Sequence, residues 1–147
     1  MSYDSVETGL LDVIILHSDY SSDNATKGDY RILGAGVVKA VVLTPGTFSR
    51  SVTAAPRRMG TTWAINLELF IPFRRELSLI ATELRTFRQD LIDQIDKYPK
   101  LNGTSGVIDA IVEGGSEPEL WQGENQRWWV QKMRCIVKER VTVTIAE

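Results

Sequence analysis

The strongest constraint in this sequence is a change of period at Pro72. Before it, Trp63, Ile65, Leu67, Leu69 and Ile71 alternate with Ala64, Asn66, Glu68 and Phe70. A period of two is a β-strand with one buried face. After it, Leu77, Ile80, Leu84, Phe87, Leu91 and Ile95 recur at three and four. Charged Glu83, Arg85, Arg88, Asp90 and Asp93 lie between them. That spacing predicts an amphipathic helix from about Arg75 to Lys97, roughly 33 Å long at the usual rise per residue. Pro99 and Asn102-Gly103 end it. A chain that passes from strand to long helix in this way must pack the helix against a sheet.

The remaining elements follow from the same logic. Val6, Leu10, Val13 and Ile14 predict a short helix over residues 4–17, with Asp4 or Ser5 as its cap and Gly9 weakening it. Residues 18–36 are rich in Ser, Asp, Asn and Gly and read as a loop, extended at Tyr30–Leu33. Val37–Leu43 is β-branched and continuous, a strand that Thr44-Pro45-Gly46 stops. Residues 44–62 then form a second long loop, of which Thr47–Val52 can pair as a hairpin arm. Val107–Glu113 is a strand, 114–126 an acidic loop, and 127–146 one long strand. The expected fold is α+β. One mixed or antiparallel sheet of about four to five strands packs against the long amphipathic helix and the short N-terminal one. At 147 residues, without repeat or linker, the chain reads as a single domain with long loops at 18–36 and 44–62.

Composition removes several function classes. Hydrophobic residues make up 43% and charged residues 24%, which excludes disorder, collagen and coiled coil as whole-chain descriptions. A net charge of −2 argues against a generic nucleic-acid binder. One cysteine excludes an internal disulfide framework and suits a reducing compartment. The first residues lack a basic stretch, and the apolar run Val13–Leu16 is too short for a signal peptide or a span. These features lead to the expectation of a soluble protein made in the cytoplasm.

The sequence offers little for catalysis. His17 is the single histidine and stands at a helix end, where it lacks the partners of a nucleophilic triad. Cys135 has no CxxC partner and lies on the apolar parity of a strand, as a small core residue does. Asp90 and Asp93 are three apart on the long helix, a spacing equally suited to a solvated face. Gly34-Ala35-Gly36 and Gly114-Gly115 match no phosphate-binding loop. No catalytic residue, cofactor or metal is therefore expected.

Charge and tryptophan placement point instead to surfaces. Arg50, Arg57 and Arg58 occupy a stretch without acids, and Glu117, Glu119 and Glu124 occupy an acidic one. The arginines suit phosphates, an acidic patch on a neighbouring copy, or solvent. Lys132, Arg134, Lys138 and Arg140 share one parity of the last strand and form a basic stripe. The plain alternative is the solvent face of an edge strand, where lysine blunts pairing. Trp128 and Trp129 must point to opposite faces. Trp128 is either an exposed interface anchor or is covered by the loop 114–126.

Four segments, TTWAINLELFIPF, ELSLIATELRTFRQDLIDQIDKYP, LNGTSGVIDAIVEGGSEPELW and WWVQKMRCIVKERVTVTI, occur in this order. Their order, size and style over about residues 37–146 resemble the tail terminator, or tail completion, proteins of long-tailed phages, the lambda-like family. The N-terminal third departs most, with longer loops. The resemblance implies a non-enzymatic virion protein at the head-proximal end of the tail. Its members form a ring, usually a hexamer, that caps the tail tube, ends its polymerisation and provides the head-joining surface. The implied partners are further copies of the chain, the tail tube protein, the head-tail connector protein and genomic DNA passing without sequence-specific binding; no membrane is implied. In such a ring the arginine and glutamate segments, with Trp128, would be interface residues, and the basic stripe would face the lumen or the next ring. The alternatives are another head-tail connector or minor tail protein, or a small ligand-binding domain.

Overall fold

β-Structure ends and helix begins on either side of the period change. In a computed structural model that describes residues 3–34, 36–53, 58–73, 77–123 and 126–142, β3 (Arg58–Pro72) ends at the proline and α2 (Leu77–Asp96) follows. The other elements are α1 (Tyr3–Ile15), β1 (Ala25–Lys27), β2 (Ala40–Thr53), β4 (Val107–Gly115), β5 (Glu119–Gln122) and β6 (Arg127–Thr142). The side chains of 51–53, 58–59, 77–79 and 141–142 are outside the description. Among the described residues the architecture is α+β, with two α-helices and one mixed sheet of six strands rather than four to five.

The sheet order is β1-β2-β3-β6-β4, and β5 also pairs with β6. β1 lies parallel to β2, and every other pair is antiparallel. β3 and β6 pair along their whole length, from Arg58 with Thr142 to Pro72 with Trp128. The opposite side of β6 is shared. β5 pairs with residues 127–130, and β4 pairs with residues 133–139. The two unexpected strands, β1 and β5, have three and four residues. Segments that short cannot display a period.

One expected loop is a correction. Residues 44–62 are largely the distal half of a β2–β3 hairpin, because Pro45 and Gly46 do not stop β2. β1 covers β2 only at Val41–Leu43, so the missing N–H of Pro45 leaves no ladder bond unmade on that side among the described residues. The register shifts between Pro45 and Phe48, and Gly46 sits tight against β3. A Cβ there would lie 2.5 Å from the Ala64 carbonyl oxygen. Gly46→Ala is therefore expected to cost about 1–3 kcal/mol through forced backbone displacement, read from denaturant unfolding. The other expected loop, 18–36, carries β1 and a 3-10 turn at Tyr30–Ile32 in place of extended structure. Asp29 caps that turn by accepting the Arg31 backbone N–H at 2.9 Å.

The main core lies between the helices and one face of the sheet. Val6, Leu10, Val13 and Ile14 of α1 meet Ile80, Leu84, Phe87, Leu91 and Ile95 of α2 there. Ile65, Leu67 and Leu69 of β3 and Met133, Cys135 and Val137 of β6 form the floor. The Gln94 amide crosses this layer and donates to the Val13 carbonyl at 2.8 Å, which ties α2 to α1.

The second face of the sheet is also partly buried, contrary to a strand with one buried face. Ala40, Val42, Phe70, Trp128 and Val130 form a second cluster. Ile32, Leu33, Val37 and Trp121 cover it. Tyr30 fastens the cover, donating its hydroxyl to Glu68 Oε1 at 2.7 Å and stacking on Trp121. Trp128 is fully buried. It is not an exposed interface anchor; its cover comes from Ile32, Leu33 and Val37 together with Trp121, which lies within the segment 114–126 expected to cover it.

Candidate functional site

The cover over the second cluster stops partway along the sheet. Beyond it the outer face of β6 is open, and there Lys132, Arg134, Lys138 and Arg140 are all exposed. The intervening Met133, Cys135, Val137 and Glu139 are buried on the helix side. At about 3.4 Å per residue the four basic groups span roughly 27 Å. Their β3 partners are Glu68, Asn66, Thr62 and Gly60. Thr62 and Gly60 are too small to screen Lys138 and Arg140 from solvent. Among the described residues two acids approach the stripe from β4. Glu113 Oε1 lies 3.9 Å from Arg134, with both side chains exposed, and Asp109 faces Lys138 across the strands. Glu68 is already engaged by Tyr30 and, at 3.2 Å, by the Thr44 hydroxyl. β6 lies between β3 and the β4/β5 pair, so the stripe does not blunt a free edge; it lies on the exposed outer face of the sheet, as the solvent-face alternative also has it.

Among the described residues, Arg50 of the predicted basic segment and Glu117 and Glu119 of the acidic one fall on opposite sides of the sheet, whereas Arg58 lies on an interior strand. Arg50 is exposed on β2. Arg58 begins β3, and Arg57 lies outside the described residues. Glu117 and Glu119 are exposed beside and on β5, and Glu124 lies outside the described residues. Three strand spacings separate β2 from β4, about 14 Å at 4.8 Å each, so Arg50 does not reach the acids of β4 in its own subunit. Both edges also expose apolar side chains, with Phe48 on β2 at 62%, Ile111 on β4 at 49% and Leu120 on β5 at 50%.

Phe48 and Glu139 carry no weight in the sequence reading. Phe48 packs on Trp63, which in turn meets Tyr3 of α1. The Trp63 indole N–H donates to Glu139 Oε1 at 2.9 Å, and Glu139 is only 3% exposed. The available signal was an acid on the apolar parity of β6, between Val137 and Val141.

The groups considered for chemistry are occupied structurally. His17 Nδ1 accepts the Asp19 backbone N–H at 3.1 Å, closing a turn just after α1. His17, Asp19 and Asp90 bring one possible ligand atom each within 4.8 Å of one another. The Lys39 ammonium already supplies positive charge there, 2.8 Å from Asp19 Oδ2, and its hydrogen bond and charge hold that carboxyl below the usual range. Asp93 instead accepts the Gln89 amide at 2.8 Å. Burial pushes the Cys135 thiol up to about 12, with the charges of Asp109 and Asp96 adding to the effect. The thiolate is the reactive species, so native Cys135 is expected to resist alkylation at neutral pH and to react fully on unfolding. Rapid labelling of the folded protein would contradict that assignment.

No helix among the described residues is long and apolar enough to cross a membrane. No protein-family model matches this chain, and no curated protein is significantly similar to it.

Proposed function

We propose that this chain is a structural subunit of a phage tail, forming a ring of six copies that caps the head-proximal end of the tail tube and ends its growth. The observation that carries the reading is the open basic face of β6, flanked by a β2 edge that carries Arg50 and a β4 edge that carries Asp109 and Glu113. A surface with different, complementary sides supports a head-to-tail contact, and such a contact closes into a ring when its rotation permits. In that ring the Lys132–Arg140 stripe faces the lumen, where DNA passes. Its role there is a weak, sequence-blind contact with phosphates, and the head connector and tube protein bind the two rims. The protein works without catalysis, cofactor or metal, in the virion.

Light scattering across concentration, with negative-stain images of the same sample, tests the ring. Six-fold rings are the expected result. A subunit that stays monomeric and leaves tube length unchanged when added to growing tubes would overturn the reading. The stripe has its own test. Four phosphate contacts predict that log K for duplex DNA falls with log salt at a slope of about −3.6. Charge reversal at Lys138 and Arg140 should lower that slope by about half while leaving the unfolding midpoint in place. A binding constant indifferent to salt would remove the stripe from the lumen.

A further inference from the structure

We infer that copies of this chain join edge to edge, with β4 of one copy adding antiparallel to the distal half of β2 of the next. This rests on the ring reading and names the surface that builds it. Three observations converge. First, both outer edges of the sheet are open among the described residues. β1 covers β2 only at Val41–Leu43, and β4 pairs with β6 alone. Proteins that remain monomeric shorten, bend or charge such edges. On β4 the register shifts at Val107/Asp109 and Val112/Gly115 bracket a regular run, Asp109–Val112, whose outer edge is left for pairing. β2 shifts register after Pro45, but from Phe48 to Thr53 it pairs with β3 without a further register shift and carries one charge, Arg50.

Second, the edges differ in sign. The open stretch of β2, Phe48–Thr53, carries one charge, the cation Arg50, whereas residues 107–122 hold four acids, Asp109, Glu113, Glu117 and Glu119, and no base. Two β2 edges repel each other, as do two β4 edges, and a β2 edge attracts a β4 edge. The charge pattern therefore selects a head-to-tail contact over a two-fold one.

Third, the strand directions agree. β2, β3, β6 and β4 are successively antiparallel, so β2 and β4 run in opposite senses. A sheet continued from one copy to the next by rotation about an axis along the strands meets at an antiparallel junction. It also keeps the basic face of every copy on the same side. A two-fold contact through one edge would not generate a ring.

Cysteine cross-linking tests this directly, because native Cys135 is buried. Phe48→Cys and Ser49→Cys variants are each mixed with Ile108→Cys and Ile111→Cys variants and oxidised. A mixed disulfide in at least one β2/β4 combination is expected, with no disulfide from any variant alone. A protein carrying the productive pair should give covalent oligomers. Oligomers that form without any mixed disulfide would overturn the edge junction and leave the ring reading standing. Disulfides from a single variant alone would overturn both, since the contact would be two-fold. No association and no cross-link at high concentration would also overturn the junction, with the tube-length assay then deciding the ring. As a second readout, Ile111→Lys places a cation where the arginine edge would dock. It should weaken self-association by about tenfold or more with an unchanged unfolding midpoint. Unchanged association would count against the junction.

Discussion

Replacing Trp128 with alanine is expected to destabilise the subunit by about 3–5 kcal/mol. The side chain is fully buried and is the largest in the second cluster. Phe70 meets it edge-on at 6.3 Å, and Phe70 in turn meets Trp121 at 5.3 Å. Removing the indole leaves a void between β6 and the covering segment 32–37, so both the transfer energy and the packing of the cover are lost. Among the described residues the indole Nε1 has no hydrogen-bond partner, so the expected loss is one of packing. Denaturant unfolding of the purified subunit measures the effect. Unchanged stability combined with failed assembly would return Trp128 to the role of an interface anchor.

Leu84→Ala is expected to cost about 2–5 kcal/mol. Leu84 is 2% exposed at the centre of the helix face that packs on the sheet. It belongs to the main core between the helices and the sheet, so its effect is expected on folding. A loss below about 0.5 kcal/mol would place Leu84 outside the core and contradict the phase of α2. Leu84 and Trp128 sit on opposite faces of the sheet, so their costs should add in the double variant.

What the sequence revealed depended on whether one face of an element was buried. Ile80, Leu84, Phe87, Leu91 and Ile95 repeat at helical spacing and are all buried, and Lys132, Arg134, Lys138 and Arg140 alternate on a strand and are all exposed. The pairing of Thr47–Val52 as a hairpin arm was legible, but its continuity with Val37–Leu43 in one strand was hidden because Pro45 and Gly46 ordinarily end a strand. Here they sit at an edge and a register shift, where the rule does not apply. The second cluster was hidden because it is assembled from distant pieces. Ile32, Leu33 and Val37 come from a polar segment with no period, and Trp121 comes from an acidic one. Nothing local marks them as a lid for Phe70 and Trp128. Of the site, the charges were legible, but the placement of Arg50 and the acids on opposite sides of the sheet depended on the strand order, which a single sequence does not display.

β6 has a consequence for how the molecule reaches this state. It is the strand that completes the sheet, pairing with β3, β4 and β5, yet it follows all of them in the chain. Arg58 must find Thr142 and Pro72 must find Trp128 across α2 and two further strands. Loops of that length are closed before their contacts reward the chain, which slows folding to the millisecond-to-second range typical of non-local sheets. Until β6 arrives, the apolar edge of β3 has no partner. A ribosome-bound chain therefore carries the Trp63–Ile71 strand uncovered while α2 and β4 are still being made, and this interval is when newly made subunits are most exposed to mispairing with one another.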